Sequence, residues 1–165
     1  PDETIKMAID ALIEKGIKPS WPEDGKNPGW AFGTNNWNQV CNGGMIAASI
    51  AIAEKNPELA AKTIKRSLDG IPMALSSYLP DGVYPEGSTY WGYGTGFSTI
   101  TCAMLVCAFG TDFGHTNHSA YMLLPVCILI MLIVEIGGDK VLMSFLLGSL
   151  LKPGIRRSLK QIVYS

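Results

Sequence analysis

An all-α fold is predicted for this 165-residue chain by three features of its sequence. Apolar residues recur at helical rather than alternating spacing, and the stretches between them are rich in proline, glycine and asparagine. The helical stretches also alternate between charged, amphipathic ones and uncharged ones. An apolar inner set covered on both sides, alternating with a charged outer set covered on one, is what a toroid of α-hairpins requires. A plain helical bundle satisfies the same pattern.

Residues 2–15 read as an amphipathic outer helix, because Ile5, Ile9 and Ile13 recur every four residues beside Ala8 and Leu12. Asp2 offers a cap and Gly16 a stop. Residues 17–37 are punctuated by prolines and glycines and predict a long loop, a kind that tends to carry function in compact domains. From Asn38 to Glu54 the chain is almost uncharged and apolar nearly all round, which predicts a helix buried on most faces. Asn56 caps the next helix, with Pro57 at its first position. Its solvated face is expected at Glu58, Lys62, Lys65 and Arg66, and its core face at Leu59, Ile64 and Leu68.

Gly70 and Pro72 predict a break before the segment 71–79. Residues 80–96, PDGVYPEGSTYWGYGTG, read as a loop, and 97–109 as a second buried helix. The runs 120–134 and 141–151 carry no charge, and neither reaches the roughly 20 apolar residues a membrane helix requires. Buried helices are expected there, with a membrane-associated hairpin as the alternative; the basic end at Lys152, Arg156, Arg157 and Lys160 fits either.

A hydrophobic content of 47% supplies a sizeable core and argues against disorder. Thirteen basic and fourteen acidic residues leave a net charge of −1, so the chain lacks the overall electrostatic footprint of a nucleic-acid binder. Cys41, Cys102, Cys107 and Cys127 form no CxxC pair and no metal-ligand spacing with His115 or His118, and read as buried thiols. With two histidines and no third ligand in sight, neither metal nor other cofactor is expected. The opening PDETIKMAID shows no targeting signal, which places the expected start of the protein upstream.

Two segments are polar and aromatic without being basic: GTNNWNQVCNGG (33–44) and the stretch 80–96, which holds three tyrosines, one tryptophan, five glycines and Glu86. If the chain reverses twice between them, Asn35, Asn36 and Asn38 face Tyr84, Tyr90 and Tyr93 across a cleft. Asparagine amides at a helix N-terminus, with its free backbone N–H groups, suit a carboxylate. Donors on that carboxylate favour proton abstraction from the adjacent carbon, which a tyrosine placed over it could perform. A free tyrosine has a pKa of about 10, so a cation or strong donors are needed nearby, and Lys26, His115, His118 or a segment outside this sequence are the candidates. Trp37 and Trp91 are candidates for stacking on sugar rings, and Glu86 for orienting a tyrosine or anchoring its loop. A glycosidase pair would have to be Asp81 with Glu86, but Asp81 sits in a Pro-Asp-Gly turn and reads as structural.

Over about residues 20–114 the chain resembles the heparinase II/III-like polysaccharide lyases. NNWNQVCNGGMIAASIAIAE with the following NPELA, and LPDGVYPEGSTYWGYGTGFS, carry the resemblance. It implies an incomplete (α/α) toroid and β-elimination of uronate glycans. Asn36 would neutralise the uronate and Tyr90 would serve as Brønsted acid or base, with Asn35, Asn38, Trp37, Tyr84, Glu86, Trp91 and Tyr93 binding substrate. The family often has an Asn-His pair where this chain reads Asn36-Trp37, which puts a histidine base in doubt.

Beyond His115 the resemblance stops, whereas the family continues to a second histidine and a β-sandwich. The expectation is a partial toroid over 1–115 followed by an apolar helical segment over 116–165, as a reading-frame change would produce, inactive by itself. The implied partner is an acidic polysaccharide and the implied location periplasmic or secreted in a bacterium; oligomeric state is left open. The rival readings are a non-catalytic carbohydrate-binding or scaffold domain and, third, a membrane-associated helical protein.

Overall fold

A computed structural model describes residues 2–118, and every regular element within them is helical. Helix α1 (Asp2–Ala11) continues through a π-helical turn (Leu12–Ile17) into a 3-10 turn (Lys18–Ser20). A further 3-10 turn (Gly29–Phe32) precedes α2 (Asn36–Ile52) and α3 (Pro57–Leu75), then come α4 (Ser88–Phe109) and a last 3-10 turn (His115–Asn117). The expectations for residues 119–165, including Cys127, the apolar runs and almost all of the second predicted domain, lie outside the described residues.

The first helix does not stop at Gly16. Ile13 and Ile17, four residues apart, are both buried against Ile52, Leu59 and Ala60. Burying Ile17 outweighs the roughly 1 kcal/mol that a helical glycine costs. Asn56 caps α3 as expected, its Oδ1 accepting from Leu59 N at 3.2 Å with Pro57 in the first turn.

The predicted break at Gly70 and Pro72 is absent, and α3 runs through both. Its backbone there is held by neighbours: Asn38 Nδ2 donates to Gly70 O at 2.9 Å and to Gly33 O at 2.8 Å, while Ile71, Ala74 and Leu75 are buried. Gly70 is needed for contact rather than for a bend, since a Cβ there would stand 2.0 Å from Ala31 O.

Arg66 was expected on the solvated face and is instead 5% exposed. Its guanidinium donates to the Ser20 carbonyl and hydroxyl and lies over the Trp21 ring, 4.1 Å from its centroid. Lys62 Nζ sits 4.5 Å from the same ring, and Trp21 Nε1 donates to Thr63 Oγ1 at 3.0 Å. Ring stacking and two hydrogen bonds to Ser20 thus hold inside the fold, with Nε left unpartnered, a cation that a one-dimensional charge pattern assigns to water.

Helix α4 begins at Ser88, well before the predicted start at residue 97, so the second half of the supposed loop is helical. Gly87, with φ 88°, makes the turn into it, a conformation that other residues rarely adopt. Gly94 faces α2: a Cβ there would stand 2.2 Å from Gln39 Oε1 and 2.7 Å from the Tyr78 hydroxyl. Glycines that read as turn formers therefore serve close helix packing.

Helix α2 packs against both α3 and α4 and is central, as its uncharged sequence predicts. Contacts advance together along α2 and α4, from Asn36 with Glu86 to Gln39 with Ser98 (2.8 Å) to Gly43 beside Thr101, so the two helices run parallel. Ile46, Ile71, Leu75, Tyr78, Tyr84 and Leu105 form the core beside this seam. α4, in contrast to expectation, is buried on one face only, with Ile100, Val106 and Phe109 exposed. By length and composition alone it would pass for a membrane span, as core helices of soluble proteins also do. Of the described thiols Cys102 is buried as expected, whereas Cys41 is half-buried and Cys107 exposed.

Candidate functional site

Because α2 and α4 run parallel, their N-termini open at the same end of the layer. Between their first turns lies a cleft of about 850 Å³, lined by Asn36, Trp37, Val40 and Cys41 on one side and Glu86, Thr89, Tyr90 and Tyr93 on the other. Asn35 makes no cap hydrogen bond at α2, where the Tyr84 hydroxyl instead meets the Asn36 backbone, and Gly87 has no side chain to cap α4. The first-turn N–H groups and the positive dipole ends of both helices thus favour an anion at this end.

Asn36 is 4% exposed and its Nδ2 donates to Glu86 Oε2 at 2.5 Å. Glu86 also interacts with the Tyr84 hydroxyl. The Tyr84 ring stacks on Tyr78, with centroids 4.8 Å apart, in the core. A chain of contacts therefore runs from the core through Tyr84 and Glu86 to Asn36, joining the two walls. Trp37, Tyr90 and Tyr93 are the exposed aromatics of the cleft, and Tyr93 is braced edge-on by Phe97 at 5.1 Å.

Of the residues singled out from sequence, Asn36, Trp37, Glu86, Tyr90 and Tyr93 come together in this cleft. Four do not line it. Asn38 is fully buried and donates to Ala31 O, Gly33 O and Gly70 O, which makes it an internal pin. Tyr84 turns its ring into the core rather than forming a substrate wall. Trp91 packs against the same core, its Nε1 donating to Gly82 O at 2.8 Å. Asn35 stands just ahead of α2, where its carbonyl accepts from Asn38 N.

The expected cation is not supplied from the candidates named. Lys26 pairs with Asp24, His115 is buried against Asp112 O, and neither these nor His118 lines the cleft. Among the described residues, no group of three or more potential metal ligands gathers. Asp81 accepts from Val83 N inside its own turn, in line with the structural reading.

Val40, Cys41 and Thr89 line the cleft without having been anticipated. Residues 36, 37, 40 and 41 share one helical face, as do 89, 90 and 93, so helical spacing carried the signal once residues 88–96 are read as helix. Burial raises the Cys41 thiol above its ordinary pKa and keeps it protonated near neutrality.

Tyr84 gives the site an alkaline signature. Burial, and then Glu86, push its hydroxyl from 10 up to about 12. A folded-state value above the unfolded one means stability fully present below pH 10 and lost as pH rises toward 12. Two units correspond to about 3 kcal/mol. The melting temperature of the parent chain is expected to drop across that window more steeply than that of Tyr84→Phe; parallel curves would refute the assignment.

No protein-family model matches the chain, and no curated protein matches it significantly.

Proposed function

We propose that the cleft belongs to a polysaccharide lyase that cleaves uronic-acid-containing glycans by β-elimination, within an incomplete (α/α) toroid of a periplasmic or secreted bacterial protein. The observation that carries this reading is that Asn36 and Tyr90, on different helices, line one open cleft at the N-terminal ends of both helices. A uronate carboxylate lies against the Asn36 amide and the helix ends, which stabilise the negative charge that builds when the neighbouring C5 proton is removed. Tyr90, reaching into the cleft, takes that proton. The C5–H electron pair becomes the C4–C5 double bond, the C4–O pair leaves with the oxygen, and that oxygen receives the proton that Tyr90 has just taken. Trp37 and Tyr93 offer aromatic faces to flanking sugars. A central, uncharged α2 beside a charged α3 supports the toroid layering.

Incubating the chain with uronate polysaccharides and following the ultraviolet absorbance of the unsaturated product tests this. Growth of that absorbance supports the reading and would mean that the chain acts without the further segments that the family's pattern adds.

A second reading, a carbohydrate-binding domain without chemistry, is favoured by one feature of the same cleft. Its lining among the described residues includes no lysine, arginine or histidine to make a Tyr90 phenolate accessible. Glycan binding with no absorbance change would decide for it.

A further inference from the structure

One charge lies in the cleft, and elimination has no use for it. Among the described residues that line the cleft, Glu86 is the one charged side chain. The ion pairs of the described residues lie elsewhere, at Glu14, Asp24 and Asp69. Glu86 is exposed, and its carboxylate is held by two neutral donors, the Asn36 amide and the Tyr84 hydroxyl. They fix its position without cancelling its charge. A carboxylate has about four acceptor sites, so two partners leave it able to take more.

A helix N-terminus attracts an anion, and Glu86, just ahead of α4 and bonded to the first residue of α2, already serves as one. A ligand entering the cleft therefore meets a fixed negative charge. Around it stand three exposed aromatic rings, Trp37 from α2 and Tyr90 and Tyr93 from α4, with Tyr93 held edge-on by Phe97. The negative face of an aromatic ring attracts a cation, and indole does so most strongly. Carboxylate and rings thus share one preference, a compact ligand cation with N–H groups to donate. A hydroxyl can also bond to Glu86, but an ammonium gains in addition from its charge and from the rings. A cleft of about 850 Å³ holds a few sugar units, and aromatic faces suit sugar rings, which places that ammonium on a sugar.

We propose that the cleft selects amino sugars whose amine is free, the ammonium pairing with Glu86 beside Trp37, Tyr90 and Tyr93. An N-acetylated sugar, which has lost the charge, is bound less tightly. The inference rests on the cleft being a glycan site, which both readings above share, and needs no elimination chemistry.

The test is calorimetry on the 165-residue chain at about pH 6, above the pKa of a carboxylate and below that of an amine. The probes are a glucosamine oligosaccharide and its fully N-acetylated counterpart of equal length. Because Glu86 and the rings are open to water, the expected preference for the free amine is modest, about three- to thirtyfold. Glu86→Gln should bring the two affinities level, and Trp37→Leu, at an exposed position, should weaken both. Circular dichroism establishes that each variant is folded. Equal or weaker binding of the free amine, a preference that survives in Glu86→Gln, or no binding of the amine probe overturns the proposal. So does a Trp37→Leu chain that binds both probes as tightly as the parent. Unsaturated product from a uronate polysaccharide, with no preference for the free amine, would sink this inference alone; the preference without product would sink the lyase reading alone.

Discussion

Tyr90→Phe is expected to lower formation of unsaturated product by about 100- to 10,000-fold, the range associated with a positioned acid or base, while glycan affinity changes by no more than a few-fold. The asymmetry follows from the position of the side chain. Tyr90 stands in the first turn of α4 and is 48% exposed, so the packed interior loses nothing when the hydroxyl is removed. The ring stays as a face for sugar, and the proton carrier goes. Steady-state rates and calorimetric affinities, measured on the same preparation, separate the two. An equal loss in both would mean that Tyr90 grips the ligand and does not act on it; unchanged turnover would remove it from the chemistry. Asn36 offers no such clean separation, because its amide also joins the two walls through Glu86.

The second large effect concerns stability. Gly70→Ala replaces a poor helix former with the best one, which in open space would gain up to about 1 kcal/mol. Here the added methyl would stand 2.0 Å from Ala31 O and 3.1 Å from Asn42 Nδ2. The first of these is a backbone atom, held in turn by Asn38 and Asn42, which both donate to it, so it has little room to retreat. Overpacking of this kind costs about 1–3 kcal/mol or more, and a net loss of about 2 kcal/mol would lower the melting temperature by roughly 4–8 °C in a chain of this size. Gly44→Ala, on α2 with nothing within 4 Å of the new methyl, should move the other way. A Gly70→Ala chain melting at or above the parent would refute the packing account.

The glycines also explain what could and could not be read from the sequence. Helical periodicity and the Asn56-Pro57 start were sufficient to place α2 to within two residues and the beginning of α3, though not its run through Gly70 and Pro72, because each of these signals is a local property of the chain. Gly94 is indistinguishable from a turn glycine until Gln39 and Tyr78 are known to lie against it, and that contact is set by residues far away in sequence. The same holds for Arg66, whose burial depends on Ser20 and Trp21 arriving from the long loop. At the site, the polar and aromatic bias of two short stretches was enough to find Asn36, Trp37, Glu86, Tyr90 and Tyr93. It could not separate them from Asn38, Tyr84 and Trp91, which have the same composition and face inward. The helical phase of residues 88–96, hidden by the glycines, separates Trp91 from Tyr90 and Tyr93, and the phase of α2 separates Asn38 from Asn36 and Trp37.

The seam between α2 and α4 is made of Gly43, Gly94, Gln39, Ser98 and Thr101, glycines on one helix lying against hydrogen-bonded polar side chains of the other. The aperture above it is therefore gauged by the fit of glycine to polar side chain rather than by the bulk of interchangeable apolar ones. Relatives built on the same seam would inherit one jaw width, and any change of taste among them would have to be written on the rim, at Trp37, Tyr90 and Tyr93.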